Sequence, residues 1–169
     1  MISAIVYASN SGFTAEYAQM LGRATGLPVN DLRQIHTPQP DEEVIFLGWL
    51  MADRIVGWAK ANAYFKVRAV CQVGMSPGSQ AAAQARREQL KLPEDVAVFA
   101  LQGGFDMNRL HGPYRLIMQV MCRKIKKDLE GKEQLSAAQQ LTYDMATKGA
   151  SAVSLANLQP VIDWYNSVK

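Results

Sequence analysis

The stretch that decides the fold is Ile2-Ser3-Ala4-Ile5-Val6-Tyr7-Ala8-Ser9-Asn10-Ser11-Gly12-Phe13-Thr14. Residues 2–8 are mostly apolar and predict a buried strand, whereas residues 14–25 have the apolar spacing of a helix. The loop between them holds several hydroxyl side chains and a glycine. A strand, a polar loop and a helix in this order are typical of the βαβ units that build a parallel sheet.

The rest of the chain continues this alternation of short apolar segments and helical patterns. Residues 55–63 have helical spacing, with Ile55 and Val56 at its start, whereas two prolines argue against a crossover helix at residues 33–41. We therefore expect one α/β domain, residues 1–169, with an open doubly wound parallel sheet. Further strands are predicted at residues 29–32, 43–48, 67–73 and 96–101, and further helices at residues 79–90 and 155–168.

The composition is ordinary for a globular protein. Of the 169 residues, 49% are hydrophobic and 20% are charged, and no apolar segment approaches the roughly 18 residues that span a membrane. Cys71 and Cys122 lie far apart, so we expect reduced thiols. His36 and His111 are too few and too separated to predict a metal site. The first residues lack the basic start of a secretory signal, and we expect a cytoplasmic protein.

The loop after the first strand has the chemistry of an anion site. Unpaired N–H groups and the helix dipole favour an anion at a helix start, and Ser9, Ser11 and Thr14 add hydroxyl donors. Gly12 allows the backbone to come close to a ligand. The loop contains no lysine or arginine, so we expect dipoles and hydrogen bonds to neutralise a monophosphate. The alternative is an ordinary helix cap, for which one hydroxyl suffices.

Other phosphate-binding classes are disfavoured. Neither a G-x-x-x-x-G-K-[ST] loop nor a G-x-G-x-x-G fingerprint follows the first strand. A phosphorylated receiver domain needs acidic residues after the first and third strands, where this chain has Ser9 and Trp49.

The loop resembles the FMN phosphate loop of the flavodoxins, which has the pattern [ST]-x-[ST]-G-x-T. Ser9, Ser11, Gly12 and Thr14 match this pattern, and the order of strands and helices also fits. The resemblance implies a flavodoxin-like five-stranded sheet in the order 2-1-3-4-5, with FMN as cofactor. It implies that the FMN phosphate binds in the loop formed by Ser9, Asn10, Ser11, Gly12, Phe13 and Thr14.

The resemblance also implies that the flavin ring lies between the loops after the third and fourth strands. Trp49 could stack on the ring or pack in the core, and Gly74 and Gly78 could present N–H groups to it or simply form a turn. The implied ring-binding residues are Trp49, Leu50, Met51 and Ala52 in one loop and Gly74, Met75, Ser76 and Gly78 in the other.

The chain departs from the small electron-carrier flavodoxins in two respects. Residues 49–56 lack the glycine whose peptide flips to stabilise a flavin radical in those proteins, so strong radical stabilisation is not expected here. Those proteins are typically acidic, whereas this chain has a pI near 8.9, and we expect a different redox partner.

A helical insertion is predicted after or within the fifth strand, at about residues 103–148. It starts with Gly103-Gly104-Phe105-Asp106-Met107-Asn108-Arg109-Leu110, and its main helix, at residues 113–129, is rich in Tyr, Arg, Leu, Ile and Met. This start and helix resemble the corresponding region of menaquinone-dependent protoporphyrinogen oxidase, a flavodoxin-fold enzyme. Residues 150–153 are expected to resume the sheet. One predicted helix face is apolar, with Tyr114, Ile117, Met118, Met121, Ile125 and Leu129, and the remainder is basic, with Arg115, Arg123, Lys124, Lys126 and Lys127.

Two functions are therefore expected, and a third option is open. The first is FMN-dependent electron transfer with a redox partner protein. The second is an FMN-dependent oxidoreductase that passes electrons to a quinone, with the insertion shaping its pocket; no catalytic residue can be named. The third is a flavodoxin-like fold that no longer binds flavin. Candidate pocket residues for the enzyme are Phe105, Asp106, Arg109, His111 and Tyr114.

The basic helix has two interpretations. It could lie on an anionic membrane surface as a peripheral contact, or it could be a packed helix with a solvated basic face. Nothing in the sequence indicates a nucleic-acid partner, because a net charge of +3 is mild for this length.

Overall fold

The computed structural model describes residues 1–34, 38–51, 53–132 and 134–169. A short 3₁₀ turn, Met107–Arg109, lies inside the insertion. In chain order the elements are β1 Ala4–Ala8, α1 Phe13–Thr25, β2 Val29–Asp31, β3 Glu43–Met51, β4 Arg54–Ile55, α2 Trp58–Tyr64, β5 Lys66–Gly74, α3 Gln80–Leu90, β6 Ala97–Gln102, β7 Gly104–Phe105, α4 Tyr114–Glu130, α5 Ala137–Lys148, β8 Ala150–Ser151 and α6 Leu155–Val168.

The main sheet is a five-stranded parallel sheet in the order β2-β1-β3-β5-β6. This is the predicted order 2-1-3-4-5, with the short β4 attached to the end of β3. The central strands are buried on both faces, so they read in the sequence as continuous apolar segments. The predicted flavodoxin-like doubly wound α/β architecture is therefore confirmed.

The two faces of the sheet are covered by different helices. Tyr17 and Leu21 of α1 and Leu158 and Val161 of α6 pack against one face. Ala61 of α2 and Leu90 of α3 belong to the cluster on the other face. This two-sided cover leaves the carboxyl ends of the strands open for the loops that form the site.

The region after the third strand differs from the prediction. β3 continues through Met51 instead of ending at residue 48, and Ile55, predicted to start a helix, lies in β4. Leu50 pairs with Ile55, and the Val56 amide donates to the Trp49 carbonyl at 2.9 Å. This backbone pairing and the burial of Ile55 outweigh the helical spacing, so the helix begins only at Trp58.

The connection from β2 to β3 contains no helix in its described residues, as expected from its prolines. His36 lies outside the described residues, so its predicted lack of a metal role remains a prediction. Cys71 and Cys122 are free and buried, and burial raises the pKa of both thiols. Among the described residues, every helix is too short or too polar to cross a bilayer.

The insertion is a helical unit with its own small core. Its ends pair as β7 and β8, with Gly104 opposite Ser151 and Phe105 opposite Ala150. The expectation that residues 150–153 rejoin the main sheet is therefore wrong, because β8 pairs with β7 in a separate antiparallel ladder. The buried side chains of this core are Phe105, Leu110, Met118, Cys122 and Met145.

The apolar face of α4 also differs from the prediction. Met118 and Cys122 are buried, and α5 packs on that side of the helix. Ile117 and Met121, placed by the prediction on one apolar face with Met118, are exposed. Cys122, one turn after Met118, is buried in place of Ile117 and Met121, because α5 approaches from that side.

Candidate functional site

Four loops meet at the carboxyl edge of the main sheet. They follow β1, β3, β5 and β6, and they enclose a narrow cleft of about 50 Å³. The lining is largely apolar, and the hydroxyls of the first loop lie at one side. The residues that line the cleft are Ser11, Phe13, Thr14, Trp49, Leu50, Val73, Gly74, Met75, Gly104, Phe105, Leu110 and Met118.

The loop after β1 has the geometry of an open helix start. Gly12 occupies the N-cap position of α1 with φ of 96°, a left-handed conformation that favours glycine. The Gly12 amide donates to Ser9 Oγ at 3.1 Å, which holds the turn closed. No side chain of the described residues caps the first turn of α1. Ser9 thus makes a local turn contact of the kind that the helix-cap alternative assigns to one hydroxyl, and both interpretations of the loop stay open.

A guanidinium that was not predicted at this loop lies beside it, already paired with a carboxylate. The Arg109 guanidinium lies 4.3 Å from the centroid of the Phe13 ring. Arg109 Nη2 pairs with Glu16 Oε1 at 2.7 Å and lies against Gly12. The sequence places Arg109 nearly a hundred residues from the loop, and only the path of the insertion brings it there.

The insertion is tied to the same loop by an amide pair. Asn10 Oδ1 accepts a hydrogen bond from the His111 amide at 3.0 Å, and Asn10 Nδ2 donates to the His111 carbonyl at 3.4 Å. These are backbone contacts of His111, so its imidazole makes no contribution to them. Asn10 therefore positions the start of the insertion over the loop.

The other candidate pocket residues of the insertion divide by position. Phe105 lines the cleft directly. Tyr114 meets the Trp49 ring at the end of β3. Asp106 instead caps the 3₁₀ turn, accepting from the Asn108 amide at 2.8 Å, and Gly149 lies against its carboxylate. The structure thus assigns Asp106 a local structural contact.

The predicted ring-binding residues separate into two neighbouring cavities. Trp49, Leu50, Gly74 and Met75 line the first cleft. Met51, Ser76 and Gly78 line an adjoining groove of about 300 Å³, whose lining also includes Leu50, Gly74 and Met75. Ala52 lies outside the described residues.

The two glycines of the second loop have packing reasons of their own. A Cβ on Gly78 would collide with the Ala100 carbonyl of β6, and a Cβ on Gly74 would approach Leu50 Cδ1 to 3.1 Å. The loop after β5 therefore lies close against its neighbours. Gln102 Nε2 holds it further by donating to the Met75 carbonyl at 3.0 Å.

A buried arginine behind the adjoining groove was missed by the sequence reasoning. Arg86 of α3 is only 6% exposed, and its Nη2 pairs with Asp53 Oδ1 at 2.9 Å. Its Nε donates to Gln72 Oε1 at 2.6 Å and its Nη1 to the Asp53 carbonyl at 2.7 Å. These bonds fix the turn between β3 and β4 against α3. Charged residues in an alanine-rich helix usually mark its solvated face, so the sequence gives no sign of this contact.

The arrangement combines an uncapped helix start, a nearby guanidinium and an apolar slot with aromatic walls. Such a set of groups suits a flat apolar ring carrying an anionic tail. Within the described residues, no group of acidic, histidine and cysteine side chains could hold a metal ion. No protein-family model matches the chain, and no curated protein shows significant sequence similarity to it.

Proposed function

We propose that the chain binds FMN at the carboxyl edge of the sheet and works in electron transfer with a redox partner. The observation that carries the proposal is the position of the uncapped start of α1 directly beside the apolar cleft. The predicted flavodoxin-like site residues from three separate loops meet there, which spacing along the chain alone does not guarantee.

The chemistry of the residues present suits each part of FMN. The first-turn amides of α1 and the hydroxyls of Ser11 and Thr14 would hold the phosphate, with Arg109 supplying positive charge at its side. Trp49 and Met75 would wall the ring and exclude water from it. When bound, FMN supplies reversible uptake and release of electrons, while the protein supplies orientation and surroundings.

A second candidate is an FMN-dependent oxidoreductase of the protoporphyrinogen oxidase type that passes electrons to a quinone. The observation that favours it is the adjoining groove, which has room for an apolar substrate beside the cleft. Four methionines line this groove, and their flexible, polarisable side chains adapt to flat apolar molecules. These are Met51, Met75, Met118 and Met121.

Titration with FMN tests the binding step common to both functions. Purified protein is freed of flavin and then titrated while flavin fluorescence is followed. We expect saturable binding by the natural chain and at least tenfold weaker binding by the double variant Ser11→Ala, Thr14→Val, since each hydrogen bond to a charged group contributes about 1.5–3 kcal/mol. The absence of saturable binding at high FMN concentration would overturn the proposal.

A matched double variant controls for general damage. Ser167→Ala and Thr147→Val remove hydroxyls that donate to carbonyls of their own helices, α6 and α5. This control should bind FMN like the natural chain. Equal weakening in both double variants would mean that the loop hydroxyls have no special role.

The two functions are separated by the electron acceptor. After reduction with dithionite and removal of the excess, the FMN-loaded chain is mixed with menadione or with a small haem protein. A Met121→Gln substitution, which makes the groove more polar, should slow oxidation by menadione in the enzyme and leave oxidation by the haem protein unchanged. If menadione oxidises the reduced chain no faster than the haem protein does, and if Met121→Gln leaves that rate unchanged, the carrier function is favoured.

A further inference from the structure

The outward side of α4 begins with four exposed apolar residues. Leu116 and Val120 are each 67% exposed, Ile117 is 46% exposed and Met121 is 41% exposed. We refer to these four residues as the apolar quartet. They occupy the first two turns of the helix and form one patch, because residues at spacings of three and four lie side by side on a helix.

Three basic residues follow on the same outward side. Arg123, Lys124 and Lys127, here called the basic cluster, are exposed, and their centre lies roughly 9 Å further along the helix axis at 1.5 Å per residue. Lys126 pairs with Glu130 at 3.6 Å, whereas the basic cluster makes no ion pair within the described part of the chain. Two exposed acidic residues, Asp128 and Glu130, are interspersed near the basic cluster, and Glu130 is paired with Lys126.

The positive charge of the chain is concentrated on this helix. α4 contains five basic and two acidic residues, an excess of three that equals the net charge of the whole chain, +3. The remainder of the chain is therefore neutral on balance.

The opposite side of α4 is already occupied. Met118 and Cys122 are buried in the core of the insertion, where Met145 of α5 joins them. The apolar quartet and the basic cluster therefore cannot turn inward without emptying that core. Their exposure is a fixed property of the folded insertion.

We propose that the outward side of α4 docks the protein on the surface of an anionic lipid bilayer. The apolar quartet enters the boundary between headgroups and acyl chains, and the basic cluster contacts the anionic headgroups. A second copy is a poorer occupant, since symmetric pairing through the quartet leaves both basic clusters without an anionic partner. A nucleic acid would leave the quartet unburied. This inference is independent of flavin binding.

Vesicle flotation tests the inference with the full chain. Vesicles of phosphatidylcholine alone are compared with vesicles that also contain about 30% phosphatidylglycerol, because polybasic segments bind anionic lipid surfaces. We expect flotation only with the anionic vesicles and a decrease as salt rises, because surface charges are screened. Absence of flotation at low salt, or equal flotation with both vesicle types, would overturn the proposal.

Two sets of substitutions separate the contributions of charge and apolar contact. Removing the basic cluster with Arg123→Gln, Lys124→Gln and Lys127→Gln should weaken binding about fivefold for each charge. Leu116→Ser with Val120→Ser should also weaken it, by roughly tenfold, at an unchanged melting temperature, because both side chains are exposed. Unchanged flotation in both sets would contradict the assignment to α4.

A control variant keeps the net charge of the first set. Lys66→Gln, Lys91→Asn and Lys169→Gln remove three basic residues that are exposed elsewhere on the chain. This variant should bind anionic vesicles like the natural chain, and equal loss would mean that net charge, rather than α4, determines binding. Dimerisation that Leu116→Ser and Val120→Ser abolish, without any flotation, would show that a second copy covers the quartet.

Discussion

The rings of Trp49 and Tyr114 meet edge to face, with centroids 5.1 Å apart and planes at 90°. Trp49 lies at the carboxyl end of β3, and Tyr114 is the first residue of α4. This contact joins the central sheet to the insertion beside the candidate flavin cleft. Such aromatic pairs contribute about 0.5–1.5 kcal/mol beyond their buried area. The insertion is therefore held against the site by its first helical residue.

Trp49 is expected to report flavin binding. It lines the cleft, whereas Trp164 packs against Phe99 at the far side of the sheet. Titration with FMN should quench tryptophan emission, and most of that quenching should disappear in Trp49→Phe and persist in Trp164→Phe. Measurement of emission at each FMN concentration checks this. Equal quenching in the two variants would place the ring elsewhere.

Gly12 should be more sensitive to substitution than another glycine with the same backbone constraint. Gly12 and Gly26 both have positive φ, at 96° and 75°. A Cβ on Gly12 would also lie 2.7 Å from Arg109 Nη2, whereas a Cβ on Gly26 meets nothing within 4 Å. Gly26→Ala should lower the free energy of unfolding by about 1 kcal/mol and leave FMN affinity unchanged.

Gly12→Ala should cost a similar amount of stability and in addition weaken FMN binding, because Arg109 must move and the backbone can no longer approach the phosphate closely. Urea denaturation and FMN titration measure the two effects separately. If Gly12→Ala and Gly26→Ala retain the same FMN affinity, the loop after β1 is not the phosphate site.

The central sheet was predictable because its strands are buried on both faces. Ile45 and Phe46, adjacent in β3, are both fully buried, so the strand appears as an unbroken apolar segment. The loop after β1 was predictable for a similar reason, since its hydrogen bond joins Ser9 and Gly12 within one short turn. Contacts of this kind involve residues that are close together in the sequence.

Contacts between separate elements were not predictable. Ile55 and Val56 fit a helix by spacing, and only pairing with the end of β3 shows that they continue the sheet. Arg86 reads in the sequence as an ordinary surface charge, yet it is buried behind the groove. Arg109 was a candidate pocket residue of the insertion, but its position beside the loop after β1 was not predicted. Their positions depend on how the insertion and α3 pack, which periodicity does not encode.

The corrected face of α4 gives a direct test with two adjacent residues. Met118 is buried in the core of the insertion, and Ile117 points outward. Met118→Ala should lower the free energy of unfolding by about 2–3 kcal/mol, since it removes buried apolar volume. Ile117→Ser should change it by less than about 0.5 kcal/mol. Urea denaturation of both variants measures the difference, and similar losses would restore the face predicted from the sequence.

Tyr17 connects the two ends of the insertion and should make stability depend on pH. Its hydroxyl donates to the Gln102 carbonyl, just before the insertion. Asn157 Nδ2 donates to the Tyr17 hydroxyl at 3.1 Å and to the Ala152 carbonyl at 2.8 Å, just after it. Burial raises the pKa of Tyr17 above the usual value of 10.0. The folded state therefore favours the protonated hydroxyl.

Because folding raises the pKa of Tyr17, the free energy of unfolding should decrease at alkaline pH. The stabilisation by Tyr17 is complete below about pH 10, where the unfolded chain also keeps the proton, and it is lost as pH rises toward the higher folded pKa. Urea denaturation at pH 8 and pH 10.5 should show a fall in the free energy of unfolding. Tyr17→Phe should cost about 1–2 kcal/mol at pH 8 and make this fall smaller.

Part of the alkaline fall should survive in Tyr17→Phe, because burial and the nearby Asp31 also raise the pKa of Tyr7. Tyr64→Phe, at an exposed position, serves as the matched control and should keep both the stability at pH 8 and the full fall. If Tyr17→Phe showed the same fall as the natural chain, the pKa of the Tyr17 hydroxyl would be the same in the folded and unfolded states. The link between the ends of the insertion would then rest on Asn157 alone.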